Sequence, residues 1–149
     1  MITWITENVA IGEYTDAVNR EVLNKEGIDC VLSLRTGLGL EVEQDQECCH
    51  EANILENLEI YYYNVPVGIN SHRNIETIKI ELRTAAYMLE QLTEKYKRIL
   101  VHCTAGIDRA PFVVAAYLSG LHEDIMDMDY WYCKIKEKRP QIIEHWEWI

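Results

Sequence analysis

The sequence predicts an α/β fold: a central, mostly parallel mixed sheet flanked by helices. Two observations lead there. Short apolar runs rich in β-branched residues alternate along the chain with stretches of helical periodicity, the order that builds a sheet covered by helices. The 149 residues, 48% hydrophobic and 26% charged, are enough to bury a core without disulfide or metal staples. With no internal repeat, low-complexity stretch or Pro/Ser linker, residues 1–149 read as a single domain.

The elements follow in order. Residues 9–11, ended by Gly12, read as a short strand, and residues 16–25 as a helix capped by Thr15 and stopped by Gly27. Residues 28–34 fit a buried strand. The acidic stretch 35–53, opening with Thr-Gly-Leu-Gly after Arg35, reads as an irregular or partly helical surface segment, with its acidic run from Glu41 to Glu51 a solvated face. Residues 58–65 read as a strand stopped at Pro66. The clearest helix is 74–96, where Ile75, Ile78, Leu82, Ala85, Ala86, Leu89 and Leu92 recur at three- and four-residue spacing. Residues 99–101 form a short strand, 111–121 an almost wholly apolar buried helix, and 125–138 a last helix halted before Pro140.

Charge and cysteine usage bound the partners. Fourteen Lys and Arg against 25 Asp and Glu give a formal net charge of -11, which opposes binding to nucleic acid or an anionic membrane surface and leaves room for a local cationic pocket. No run of about 18 apolar residues is present, so no membrane span is expected. The five cysteines, Cys30, Cys48, Cys49, Cys103 and Cys133, are odd in number and irregular in spacing. With no export signal at the start, they read as reduced thiols of a cytoplasmic-type compartment. Cys48-Cys49-His50 lacks a second ligand pair with zinc-like spacing, so no metal is expected there. Cys30 and Cys133 read as ordinary packed thiols. Trp146 and Trp148 are expected to cap the core or form a contact patch.

Chemistry concentrates at His102-Cys103-Thr104-Ala105-Gly106-Ile107-Asp108-Arg109-Ala110-Pro111. In α/β sheets the ligand site lies beyond the carboxyl ends of the strands, and this segment leaves one such end. A cysteine ends a strand, a tight loop follows, and an arginine enters the first turn of a buried helix. Successive loop amides and the helix N-terminus make an anion cradle from residues 104–109. Gly106 permits positive φ and close approach to a ligand. Arg109 matches two oxygens of a tetrahedral oxyanion at once. The same field favours a thiolate at Cys103, and a thiolate beneath a bound phosphate is a nucleophile aimed at phosphorus.

His-Cys, five residues, then Arg, between an apolar strand and an apolar helix, resembles the signature loop of the protein-tyrosine phosphatase superfamily. The stretch Tyr62-Tyr63-Asn64-Val65-Pro66-Val67 and the late Lys138-Arg139-Pro140 resemble its small dual-specificity branch. The resemblance implies a phosphomonoester hydrolase with Cys103 as nucleophile, and Arg109 with the amides of Thr104, Ala105, Gly106, Ile107 and Asp108 holding the phosphoryl oxygens. It implies no metal and no organic cofactor. The implied substrate is a phosphorylated protein or a small phosphomonoester. His102 is expected to orient the loop rather than transfer protons.

The chain departs from that pattern in three places. The branch usually carries a general-acid Asp about 30 residues before the nucleophile, whereas residues 67–73 read Val-Gly-Ile-Asn-Ser-His-Arg, without a carboxylate. Asp108 is the favoured replacement and His72 the second candidate. Asp108-Arg109 resembles the end of the loop in myotubularin and Sac-type phosphoinositide phosphatases. Arg109-Ala110-Pro111 resembles plant-type glucan phosphatases. The alternatives are therefore a phosphoinositide or phosphoglucan phosphatase, or a non-catalytic phosphate-binding module. RNA 5′-triphosphatases of this fold also lack the usual acid, but the net charge disfavours a long nucleic-acid footprint.

Overall fold

A computed structural model describes residues 1–36, 42–69, 72–120 and 124–149, the side chains of 42–48 excepted. The strands are β1 (Thr3–Trp4), β2 (Val9–Gly12), β3 (Cys30–Ser33), β4 (Tyr61–Asn64) and β5 (Ile99–His102). Between and after them lie α1 (Tyr14–Ala17), α2 (Arg20–Lys25), α3 (Val42–Asn57), α4 (Ile75–Lys95), α5 (Arg109–Leu118), α6 (Ile125–Lys138) and a closing 3-10 turn, Trp146–Trp148. The sheet order is β1-β2-β5-β3-β4, with β1 antiparallel to β2 and every other pairing parallel. This is the mostly parallel mixed sheet expected.

Strand residues alternate between two cores, as the two-residue period of a strand requires. Val9, Ile11, Cys30, Leu32, Ile99 and Val101 join α4, α5 and α6 on one face. Ala10, Val31 and Leu100 join Leu23 and Leu55 on the other. α4 buries Ile78, Leu82, Ala85, Ala86, Leu89 and Leu92, six of the seven residues read as its apolar stripe, while Ile75 in its first turn is 39% exposed. Its cap is Asn74, whose Oδ1 accepts the Glu76 N–H at 2.8 Å. α5 packs Ala110 to Ala116 without an exposed position among them, which fits a helix apolar on every side.

Local hydrogen bonding moves three boundaries. The single helix read over 16–25 is two: Asn19 sits in extended backbone and its Oδ1 accepts from the N–H groups of Glu21 and Val22, capping α2 anew. Thr15 is thus inside α1, which starts after Glu13, and the Glu13 N–H donates to Asp16 Oδ2. The strand read from residue 58 begins at Tyr61, because residues 58–60 close α3: Glu59 adopts φ 59° and the Ile60 N–H donates to Leu55 O. α5 begins at Arg109, two residues before Pro111, whose missing N–H falls within the first turn where none is needed.

The acidic stretch 35–53 is corrected in one respect. Its helical part is α3, but Glu51 is fully buried and does not belong to a solvated face. Glu51 stands three and four residues before Ile54 and Leu55, on the stripe α3 buries. Residues 37–41 and the side chain of Cys48 lie outside the described residues. Among the described residues no helix is long and apolar enough to cross a membrane.

Candidate active site

β5 is the central strand, hydrogen-bonded to β2 on one side and β3 on the other. It ends at His102, and α5 begins at Arg109, so the six residues between them form the loop anticipated at a carboxyl strand end. Cys103 is 2% exposed at its base. The neighbouring strand ends, Gly12 and Ser33, stand in register with His102.

The fold holds this loop from outside by its carbonyls. The Tyr14 N–H donates to Thr104 O at 3.0 Å, Arg139 Nε to Gly106 O at 2.9 Å, and the Ile143 N–H to Ile107 O at 2.8 Å. His102 Nδ1 lies 3.0 Å from Cys103 O. With four of its carbonyls engaged in this way, the loop can present its N–H groups to an anion, as concave backbone segments that bind phosphate do. Gly106 has φ +68°, and a Cβ there would stand 2.5 Å from Gly12 O. Only glycine fits that closure.

Arg109 crosses the mouth of the loop. Its Nη1 donates to Val67 O at 2.8 Å and more weakly to Leu34 O at 3.4 Å, and its Nη2 to Thr104 Oγ1 at 3.2 Å. Its Nε is buried without a hydrogen-bond partner among the described residues. Burial lowers the Arg109 pKa, the charge of Cys103 opposes that, and Arg35 adds to it. Arg35 follows β3, is 5% exposed, and stacks its guanidinium 4.2 Å from the centroid of Tyr14. A third arginine, Arg139, is 2% exposed and bonds Met1 O and Thr3 Oγ1 as well as the loop. Three guanidiniums thus surround the segment, in a chain whose net charge is -11. Sequence reading identified Arg109, noted Arg139 only within Lys138-Arg139-Pro140 and not as a contact of the loop, and missed Arg35, since nothing local marks a lone arginine as turned inward.

Beneath the loop His102 and Glu51 are both wholly buried, with Nε2 2.5 Å from Glu51 Oε1. His102 therefore orients the loop, through Cys103 O, with Glu51 as its support. At the start of α5, Asp108 occupies the cap position but makes no cap hydrogen bond; its Oδ1 lies 2.6 Å from His145 Nε2. His72 is exposed in a turn, next to residues 70–71, which lie outside the described residues. The 67–73 segment is tied to the site by Val67 O and braced by Arg73, which bonds Gly68 O and Glu81. Among the described residues no cluster of three His, Cys, Asp or Glu is placed to hold a metal.

Residues 9–149 match the family described as dual specificity phosphatase, catalytic domain. The chain belongs to that family. This dual specificity phosphatase domain is 28% identical over 141 residues to tyrosine-protein phosphatase vhp-1 of Caenorhabditis elegans, covering 95% of this chain and 19% of that protein. It is 26% identical over 142 residues to human dual specificity protein phosphatase 14, covering 95% of this chain and 62% of the relative. The chain therefore spans from a fifth to under two thirds of the length of these relatives. Among solved structures, the human tyrosine phosphatase-like serine/threonine/tyrosine-interacting protein shares the fold with TM-score 0.69 and 19% identity, over 99% of this chain and 89% of that one.

Proposed function

We propose that this domain is a cysteine-dependent protein phosphatase. It acts on phosphotyrosine or phosphoserine/threonine esters through a phosphocysteine at Cys103. The observation that carries the reading is the loop itself: a buried cysteine, the carbonyls of Cys103, Thr104, Gly106 and Ile107 each met by a partner, and Arg109 held across the opening. A dianionic phosphoryl group fits that cradle, with the amides of residues 104–108 and the Arg109 guanidinium around its oxygens. Cys103 Sγ attacks phosphorus from beneath as the ester oxygen departs, and water then releases phosphate from sulfur.

Asp108 is the proton donor to the leaving oxygen in this reading, supported by its place beside Arg109 and its bond to His145. His72 is the alternative donor. The chain's own thiol, carboxyl and guanidinium suffice for both steps. A reducing, cytoplasmic-type setting suits the reaction, as it suits the free thiols of Cys30, Cys49, Cys103 and Cys133. Phosphorylated proteins are the favoured substrates, over phosphoinositides or phosphoglucans.

Phosphate release from an activated aryl phosphate, compared between wild type and Cys103→Ser under reducing conditions, tests the reading. Turnover in wild type that vanishes in Cys103→Ser is the expected result. A silent wild type overturns it in favour of a phosphate-binding module, because an activated aryl leaving group hardly needs a general acid.

A further inference from the structure

After α6 the chain returns to the signature loop and contacts three of its residues in succession. Arg139 Nε bonds Gly106 O, the Ile143 N–H bonds Ile107 O, and His145 Nε2 meets Asp108 Oδ1 at 2.6 Å. The first two contacts hold backbone. The third reaches a side chain that can carry a proton.

The His145 ring is fixed in position and plane. It stacks on Trp148 with centroids 3.8 Å apart and 9° between planes, and Trp148 is buried edge-on against Phe112 of α5. Its backbone N–H donates to Tyr132 Oη at 3.3 Å. Nδ1 lies 2.7 Å from Glu147 Oε1, so each ring nitrogen is aimed at a carboxylate oxygen. Burial raises the Glu147 carboxyl, but the His145 hydrogen bond, a bond to its own backbone N–H and the charge of His145 together hold it below its usual value.

We propose that His145 is a positioning residue that stores the proton Asp108 delivers, making Asp108, His145 and Glu147 a relay at the rim of the loop. This rests on Asp108 being the donor to the leaving group. A donor at Asp108 gives up one proton at each turnover and needs a neighbour that returns it. An imidazolium at hydrogen-bond distance, with a second carboxylate behind it, keeps the proton one transfer away.

The protons balance over the two steps. As the Cys103 Sγ–P bond forms and the P–O bond breaks, the leaving oxygen keeps the electron pair and takes a proton through Asp108. The Nε2 proton of His145 replaces it, and the ring becomes neutral. Water then attacks phosphorus, the S–P bond breaks with its pair returning to Cys103, and the proton lost by water passes through Asp108 back to His145. No co-reactant is consumed. The groups that meet this ring are Asp108, with Arg109 next to it, and Glu147; nearby, Tyr132 of α6 accepts from the His145 backbone N–H, and Glu144, the preceding residue, pairs with Lys136 of α6.

The test uses the whole chain with His145→Gln and Asp108→Asn, on an alkyl and an activated aryl phosphate, as a function of pH. Gln keeps an N–H for Asp108 but cannot carry the proton. We expect His145→Gln to lower kcat on the alkyl phosphate about 100-fold, to spare the aryl phosphate, and to move the alkaline limb of the profile to lower pH. Asp108→Asn should match that loss on the alkyl phosphate. Equal losses on both substrates, or an unmoved profile, overturn the relay and leave His145 a brace for the loop. If His145→Gln does not fold, Glu147→Gln at a more exposed position serves: a smaller shift of the same limb supports the relay, and none overturns it. A wild type silent on the aryl phosphate would instead overturn the phosphatase reading, so the two failures are distinguishable.

Discussion

Glu51 and His102 meet 2.5 Å apart with neither side chain exposed, although 51 residues separate them in the chain. His102 Nδ1 faces the carbonyl of Cys103, which can only accept, so Nδ1 carries a hydrogen and Nε2 is the atom Glu51 engages. The Cys103 peptide is thus oriented by a ring that a carboxylate on α3 holds in place.

Glu51→Ala leaves Nε2 facing a void. Breaking one side of such a buried pair should cost about 3 kcal/mol. Glu51→Gln keeps the shape and a polar partner and should cost about 1 kcal/mol. Denaturant midpoints of the two variants measure this. Equal midpoints for Glu51→Ala and wild type would show that the pair adds nothing to stability.

Arg109→Lys retains the charge but loses the planar fork that spans Val67 O and Thr104 Oγ1. Turnover of the aryl phosphate should fall about 100- to 1000-fold, and inorganic phosphate should become a weaker competitive inhibitor. Unchanged phosphate affinity would remove Arg109 from oxyanion binding.

Gly106→Ala forces a Cβ to within 2.5 Å of Gly12 O and 2.7 Å of Arg139 Nη2, at a φ of +68° that side chains disfavour. The loop must shift, at a cost of about 2 kcal/mol or more. Activity should be lost while circular dichroism still reports a folded sheet. Full activity in the variant would mean that the loop's closure against β2 is dispensable.

Cys30 links stability to alkaline pH. Burial, aided by the charge of Asp29, pushes its thiol from 9.0 up to about 12. Between those values the unfolded chain gives up this proton and the folded chain keeps it. Stability is therefore complete below 9.0 and falls as pH rises toward about 12, by at most about 1.4 kcal/mol per pH unit. Burial raises the Tyr132 hydroxyl as well, in the same direction. Cys30→Ala should flatten the alkaline slope of the denaturation midpoint, whatever it costs at neutral pH. An unaltered slope would exclude the thiol as its source.

What the sequence disclosed and what it hid divide by contact distance. The loop from Cys103 to Arg109 was legible because strand end, turn and helix start lie in one continuous stretch. α4 was legible because its apolar spacing is a local property that packing obeyed. Glu51 was misread because a carboxylate amid other acidic residues looks solvated, and the histidine that draws it inward lies far along the chain. The only local clue was its position on the Ile54–Leu55 stripe. His145 and Arg35 were invisible for the same reason, and Arg139, noted within Lys138-Arg139-Pro140, gave no sign of its contact: each acts on a loop that reaches it only through the fold. Asn19 shows the opposite failure, where a strong cap split a helix that periodicity alone had joined.

The central place of β5 has a kinetic meaning. Its amides, locked between β2 and β3, are of the kind that exchange with solvent only when the whole molecule opens, whereas the stretch that carries Ile143 and His145, although anchored by the buried side chains of Ile142 and Trp148, has no strand or α-helix of its own to hold its backbone. The thiol is therefore seated on the slowest-opening part of the protein, and what approaches it from the C-terminal side sits on a faster one. Weakening a remote core contact should reduce the number of working molecules without altering the rate of each, while loosening that returning stretch should slow every molecule and leave their number unchanged.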